Sequence, residues 1–427
     1  MNDNKGGFRQ SFMKNGLQIL LVPVVHAKTI TLLVLVPTGS RNETRDTNGL
    51  SHFIEHMLFK GTERRPEAAL ISCDLDALGA DCNAFTSKEY TGYYVRAAAD
   101  KLEIVADVLS DMLLNSRFDA AEIEKEKGAI IEEFNSYEDD PGDKIGDIFE
   151  ECLYGDTPAG WDTLGTKNNV RGFKREDLIR YFRRQYDSRK AVICLAGNLN
   201  MTAAKELVAK YFGNWPQSSF EERFPIEENQ SKPAAKIVFK KTDQINLSVG
   251  VRTFASGHRD ELAVKLLAIV LGDSTSSRLY LELRERRGLA YDVSAYAENC
   301  VDAGYLSAQA GIPTDKLSEA TEIILKEFQS LTTELVPENE LRRVKDMLAG
   351  RLVLDLETSD DLAMWYGTQA IKGKIILTPE AWLEKINTVT AADLLRVAKI
   401  IFQDKNLNLA AIGPIKNKPG IIKKLHF

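Results

Sequence analysis

The sequence predicts an α+β fold built twice, as two related domains in one chain. Three observations carry this. Short β-branched and aromatic runs alternate with helical stretches along most of the chain. Between Trp215 and Pro233 the texture changes: Pro216, Pro225 and Pro233 lie among Ser, Glu and Gln with little periodicity, as in a connecting segment. After it the same order of elements starts again, which places one domain over 1–220 and a related one over 221–427.

Taken in order, Gln18–Val22 and Thr29–Val36 read as strands. Gly39-Ser40 and Asn48-Gly49 mark turns before a helix that starts near Leu50. A helix from about Pro66 to Leu78 follows. Asn83–Thr86 and Tyr90–Val95 are strand-like. Helices cover Lys101–Leu114 and Asp119 to about Tyr137. Ala191–Asn198 is a buried strand ending in a turn. In the second half, Ile245–Val251 is a strand, Asp260–Leu271 a helix and Tyr305–Gly311 strand-like, with helices from Lys316 and from Pro337. The clearest echo sets Phe118–Ile123 beside Val336–Leu341.

A net charge of −7 argues against a nucleic-acid partner, since such proteins are more often basic. The five cysteines, Cys73, Cys82, Cys152, Cys194 and Cys300, are an odd number without a CxxC pair, which suggests reduced thiols in a reducing compartment. Met1–Gly16 has neither an apolar core nor an arginine-rich amphipathic run, and no stretch has the length of a membrane span. A cytoplasmic protein without a membrane partner is expected, although an organellar protein stripped of its leader would read the same.

The chemistry centres on His52-Phe53-Ile54-Glu55-His56. Leu50, Phe53, Ile54, Met57 and Leu58 form the apolar stripe of a packed helix, with His52, Glu55 and His56 on the other face. The two histidines are one turn apart, so both imidazoles can reach one ion; zinc takes such nitrogens at about 2.0–2.1 Å in a tetrahedral array. Glu55 is placed to take a proton from attacking water. H-x-x-E-H is the inverse of the H-E-x-x-H zinc motif. Two surface histidines that happen to be four apart is the competing reading. In the helix from Asp119, Ile123, Ile130 and Tyr137 repeat every seven residues, and Glu126 and Glu133 flank that stripe. A carboxylate beside an apolar face needs a cation or a partner. An amphipathic helix with two edge glutamates is the alternative. By the same offset, the second half has Val344 and Arg351 at these places, and its only histidines are His258 and His426, so it cannot bind a metal in the same way.

His52–His56, then 76 residues, then Glu133, with Glu126 seven earlier, resembles the inverzincin zinc peptidases, the family of pitrilysin and the mitochondrial processing peptidase. Asn83–Ser87, Ser136–Pro141 and Leu283–Tyr291 resemble three further stretches of that family, so the likeness spans nearly the whole chain. It implies two α/β-sandwich domains, each an antiparallel-rich sheet packed with helices, forming half of a clamshell. It implies one Zn2+ per chain on His52, His56 and Glu133, with Glu55 as general base and Glu126 orienting a ligand from behind. Asn83, Ala84, Phe85 and Thr86 would dock an extended peptide as an added strand, an ordinary edge strand being the alternative. Ser276–Arg287 reads as a helix ended by Gly288, with a strand from Leu289. The likeness gives Tyr291 a hydrogen bond to the developing oxyanion and Arg284 a substrate carbonyl; a surface arginine and a half-buried tyrosine are the plainer reading.

The expected function is a zinc endopeptidase acting on peptides or unfolded segments inside a closed chamber. The chain has the size of half-length members, so a homodimer, or a heterodimer with a related chain, is the expected partner. A non-catalytic assembly subunit of the same fold and a peptide-binding module with a structural zinc are the rivals. From Phe118 to Asp162 fifteen Asp or Glu face three Lys, either a solvated acidic helix face or a chamber wall that attracts basic peptides.

Overall fold

A computed structural model describes residues 7–415, 420 and 423–427 of the chain. The first six residues of the stretch read for a leader lie outside the described residues. Along the first half run β1 (Arg9–Phe12), β2 (Gln18–Pro23), β3 (Thr29–Val36), α1 (Leu50–Met57), α2 (Ala68–Asp76), β4 (Asp81–Thr86) and β5 (Thr91–Ala98). α3 (Leu102–Asn115), α4 (Ala120–Asp139), α5 (Pro141–Tyr154), α6 (Lys167–Gly172), α7 (Arg175–Gln185), β6 (Val192–Gly197) and α8 (Met201–Phe212) follow. The second half holds β7 (Ala234–Phe239), β8 (Gln244–Thr253), α9 (Glu261–Gly272), a π-helical turn (Tyr280–Arg286), β9 (Val293–Asn299) and β10 (Gly304–Pro313). It ends with α10 (Leu317–Thr333), α11 (Glu338–Asp355), α12 (Ser359–Ile371), α13 (Pro379–Thr388), α14 (Ala391–Ile401) and β11 (Leu407–Gly413).

The duplication shows in the sheets. The first has the order β1-β2-β6-β3-β5-β4 and the second β7-β11-β8-β10-β9. With β1 set aside, the two orders match strand for strand. Each contains a single parallel pairing, β2 with β6 and β7 with β11, and is otherwise antiparallel. Both folds are therefore helix-packed, antiparallel-rich sheets. No helix among the described residues is long and apolar enough to cross a membrane.

The apolar runs explain the layering. β3 reads Thr-Ile-Thr-Leu-Leu-Val-Leu-Val without polar alternation past its start, the pattern of a strand covered on both faces. One face, with Ile30, Leu32 and Val34, packs on α1, α3, α7 and α8. The other, with Leu20, Leu33, Leu35 and Cys194, packs on Ala363 and Tyr366 of α12. Gly367 lets α12 come close: a Cβ there would lie 3.0 Å from Leu33 and Leu35 side-chain carbons. In the second sheet, one face meets α9, α10 and α14, and the other, with Tyr305, Ala410 and Ile412, meets Ile145, Ile148 and Phe149 of α5.

This arrangement adds crossings to the expected boundary near 220. One compact unit comprises Met1–Phe134, Asp162–Phe224 and Leu352–Pro379; the other comprises Asn135–Trp161, Pro225–Arg351 and Glu380–Phe427. Equivalent helices are exchanged, since α5 follows α4 as α12 follows α11, and each covers the sheet of the other half. Both begin with strong stop-and-start signals. Asp140 caps α5 by accepting from the Gly142 and Asp143 amides, with Pro141 in the first turn. Thr358 and Asp361 form a reciprocal capping box on α12. The expected seven-residue stripe of α4 ends early: Ile123, Ile130 and Phe134 are buried, but Tyr137 is exposed, because the helix leaves the first core after Phe134.

Phe149 fills the space that Gly250 leaves on β8, where a Cβ would sit 2.7 Å from its ring. Replacement of Phe149 by Ala should destabilise the protein by about 3–5 kcal/mol, read as a lowered urea midpoint. An unchanged midpoint would show that α5 does not close the second sheet.

Candidate metal centre

The site is built on α1, only eight residues long. Two turns have little stability of their own, so packing and capping must hold them. Leu50, Phe53, Ile54, Met57 and Leu58 are all buried, as the stripe predicts. The opposite face is not a solvent face, however: Ser51 and His52 are buried too, and only Glu55 and His56 are half-exposed. The polar face is covered because Tyr181 of α7 lies over it, its hydroxyl 2.9 Å from Ser51 Oγ.

The helix start is fixed by Glu43, which is fully buried. Its carboxylate accepts from the backbone amides of Gly49 (2.8 Å) and Ser51 (2.7 Å) and from Asn48 Nδ2 (3.0 Å). These are donors that a helix N-terminus leaves without partners, and a negative charge suits that end. Burial raises the Glu43 pKa, against the pull of the Ser51 and Gly49 amides.

His52 and His56 then project from one side of α1, and Glu133 of α4 meets them. The distances are 3.3 Å between His52 Nε2 and His56 Nε2, 3.5 Å from His52 Nε2 to Glu133 Oε2, and 3.4 Å from His56 Nε2 to Glu133 Oε2. Ligands about 2.0–2.1 Å from a tetrahedral zinc stand about 3.3 Å from one another, so these three atoms fit three corners of that shape. Two imidazoles and a carboxylate also suit the ion chemically and leave a fourth position free. Among the described residues this is the one group of three His, Cys, Asp or Glu side chains close enough to hold a metal.

The electrostatics are those of a charged pocket. Hydrogen bonds to His52 and His56 hold the Glu133 carboxyl well below the usual carboxylate range, against the effect of burial. Burial pushes the His56 imidazole down, but hydrogen bonds and charge from Glu126 and Glu133 outweigh it and raise its pKa to about 9. Glu126 stands behind His56, its Oε1 2.7 Å from Nδ1. Its other oxygen pairs with Lys60 Nζ at 2.8 Å. Burial raises the Glu126 pKa, but the His56 and Lys60 contacts lower it more. His52 has no such support; its Nδ1 is buried without a partner among the described residues.

Glu55 points toward β4 and accepts a 2.5 Å hydrogen bond from Thr86 Oγ1. β4 is the last strand of its sheet, so its outer edge is unpaired among the described residues. Asn83 is exposed on it, and Ala84, Phe85 and Thr86 are half-buried.

Arg284 and Tyr291 come together in the second unit. Arg284 Nη1 donates to the Tyr291 carbonyl at 2.6 Å, and its guanidinium lies 4.6 Å from the Tyr291 ring centre and 5.1 Å from that of Tyr280. One expectation is corrected here, and with it a part of the plainer reading. Regular strand begins at Val293 and not at Leu289, because Gly288, at a φ of 59°, opens a short loop that holds Tyr291. Tyr291 is 80% exposed, not half-buried. The helix before it is a π-helical turn, a form often found at functional sites. Arg351, which stands where the first half has Glu133, pairs with Asp273 at 2.7 Å. Of the acidic run from 118 to 162, residues 135–161 lie in the second unit and the rest in the first.

Sequence reasoning missed Glu43, Lys60 and the bond from Thr86. Lys60 was within reach, since His52, His56 and Lys60 follow one another at intervals of four. Glu43 lies in a turn-rich polar stretch where no periodicity singles it out.

Residues 20–167 match the family model described as insulinase, peptidase family M16, and residues 172–348 match that of the peptidase M16 inactive domain. An uncharacterized zinc protease of Bacillus subtilis, YmxG, is 33% identical over 95% of this chain and 98% of its own. The crystal structure of a protease from Helicobacter pylori superposes with a TM-score of 0.91 at 22% identity, covering 95% of this chain and 99% of that one. The periplasmic protease PqqL from Escherichia coli gives 0.82 at 18% identity, covering 100% of this chain and 50% of that one.

Loss of the Glu133 carboxylate, as Glu133→Gln, should strip zinc at concentrations the parent protein retains it. Glu126→Gln should weaken zinc binding by about 10–100-fold, as changes behind a ligand do. A competition titration with a chelating dye reads both; the reverse order of the two effects would reverse the ligand assignment.

Proposed function

This chain belongs to peptidase family M16, and from that premise we propose that it is a zinc-dependent endopeptidase cutting peptides or unfolded segments. One observation carries the proposal: three donor atoms at tetrahedral spacings, with a separate carboxylate, Glu55, on the same short helix. A structural zinc would have no use for that extra carboxylate, and a non-catalytic subunit would have no need to keep the whole set. His52, His56 and Glu133 would hold one Zn2+ per chain. When bound, the ion supplies a Lewis acid that polarises a carbonyl and brings the pKa of water down to about 7.

The residues supply the rest. Glu55 takes the proton from the attacking water and hands it to the leaving amine nitrogen. Glu126, held by Lys60, fixes the tautomer and angle of His56. The free edge of β4 takes the substrate as an added strand through Asn83, Ala84 and Phe85, so main-chain groups set affinity and little side-chain sequence is read. Tyr291 hydrogen-bonds the developing oxyanion, and Arg284 steers Tyr291 as well as a substrate carbonyl. Five cysteines, none of them paired in a disulfide among the described residues, support a reducing, cytoplasmic setting.

The chain matches half of PqqL. We infer a two-fold dimer that encloses the substrate, each zinc site receiving Arg284 and Tyr291 from the second copy. A heterodimer with a related chain would serve the same geometry.

Glu55→Gln should keep zinc and lose turnover of an unstructured peptide on the order of 10²-fold or more, in kcat. A zinc-loaded variant with most of its activity would remove Glu55 from the reaction. For the dimer, an inactive Glu55→Gln chain mixed equally with an inactive Tyr291→Phe chain should regain about a quarter of parental activity, since half the dimers would hold one intact site. No recovery despite proven subunit exchange would exclude completion by a second copy.

A further inference from the structure

The carboxylate of Glu55 has two oxygens, and they are treated differently. Oε2 accepts the 2.5 Å hydrogen bond from Thr86 Oγ1. Oε1 has no partner among the described residues. A general base needs one oxygen free to take a proton and the other held, so that the free one does not rotate away. Thr86 is also the last residue of β4, the strand whose outer edge is open. One residue thus ends the docking strand and touches the base.

The strand end is held rigidly. Thr86 pairs with Thr91 across the β4–β5 hairpin. Thr91 Oγ1 donates to the Thr38 carbonyl at 2.8 Å and lies 3.5 Å from Thr86 Oγ1. Beyond it, the tip of the hairpin is clamped by Arg41, which is fully buried. Arg41 Nη1 donates to Glu89 at 2.5 Å, Nη2 to the Phe224 carbonyl at 2.9 Å, and its backbone amide to the Lys88 carbonyl at 2.9 Å. Gly39 is part of the clamp: a Cβ there would stand 2.1 Å from the Ser87 carbonyl oxygen. A buried ion pair gains little net stability, and its established use is to fix a register. Here the register it fixes is that of Thr86.

We propose that Thr86 is a positioning residue that couples peptide docking on β4 to the aim of Glu55. Its hydroxyl, not its main chain, does this, so the side chain of Thr86 serves Glu55 while its main chain stays part of the docking strand. The bond is already made and the strand end already fixed, so a peptide added along β4 meets a base whose aim is set relative to the strand it docks on. The inference rests on the peptidase reading given above.

Two substitutions separate the hydroxyl from the backbone. Thr86→Val keeps shape and β-branching and removes the donor; Thr86→Ser keeps the donor. On an unstructured peptide, Thr86→Val should lower kcat by about 10–100-fold, the worth of a hydrogen bond to a charged group. KM and zinc content should stay as in the parent, because docking uses main-chain groups. Thr86→Ser should remain within about threefold of the parent. If valine impairs folding or zinc retention, Thr86→Ala, which adds no bulk, reads the same comparison with Ser. A kcat for the donor-less variant within about threefold of the parent, or an equal loss in Thr86→Ser, would overturn the coupling. Glu55→Gln run alongside distinguishes the two levels: if it stays active, the peptidase reading fails, whereas an inactive Glu55→Gln beside a fully active Thr86→Val rejects the coupling alone.

Discussion

Everything at the candidate centre depends on burying a two-turn helix that carries polar groups on the side facing away from its apolar stripe. Burial of unpartnered polar groups is costly, so most are met by something fixed, with His52 Nδ1 left without a partner among the described residues. Glu43 meets the amides at the start of α1, Tyr181 meets Ser51, and Glu126 meets His56. Each partner comes from a different part of the chain: the turn before α1, α7 and α4. The histidines cannot be placed until those elements have assembled, and once assembled the geometry has little freedom left. This is why the donor atoms already stand at metal-ligand spacings.

The two sheets solve a related problem with the same device. A sheet apolar on both faces needs two layers of cover. The first sheet finds one layer in α1, α3, α7 and α8 and the other in α12; the second finds them in α9, α10 and α14 and in α5. The duplicated halves are alike in strand order but not in chemistry. Where α4 offers Glu126 and Glu133, α11 offers a buried Val344 and an Arg351 that pairs with Asp273. One copy holds the two histidines and the two glutamates, and the other carries Arg284 on its π-helical turn and Tyr291 on an exposed loop.

Much of this was legible in the residues. The H-x-x-E-H helix, the strands at Thr29–Val36 and Ala191–Asn198, and the repeat of element order are local signals, the first written in a period of 3.6 and the strands in short apolar runs. Glu133 could be tied to the histidines only through a family likeness, because 76 residues separate them. What escaped notice depends on tertiary contact. Glu43 acts on amides six and eight residues on, Thr86 reaches back 31 residues to Glu55, and the covering role of α5 and α12 spans half the chain. The Tyr291 loop was misread because Leu289 and Ala290 look like the start of a strand; they are buried in the second core while Tyr291 turns outward.

The exchange of α5 and α12 also bears on how the polypeptide is made. Leu20, Val22, Leu33 and Leu35 line a face that α12 covers, and α12 emerges from the ribosome more than three hundred residues after β3. From the synthesis of β6, which joins β2 to β3, until that of α12, the first sheet has a bare apolar side, a surface that attracts chaperones or other nascent chains. The N-terminal half is thus complete in sequence long before it can be complete in structure. Neither sequence half carries both layers of cover for its own sheet, so neither can close its core from its own residues alone.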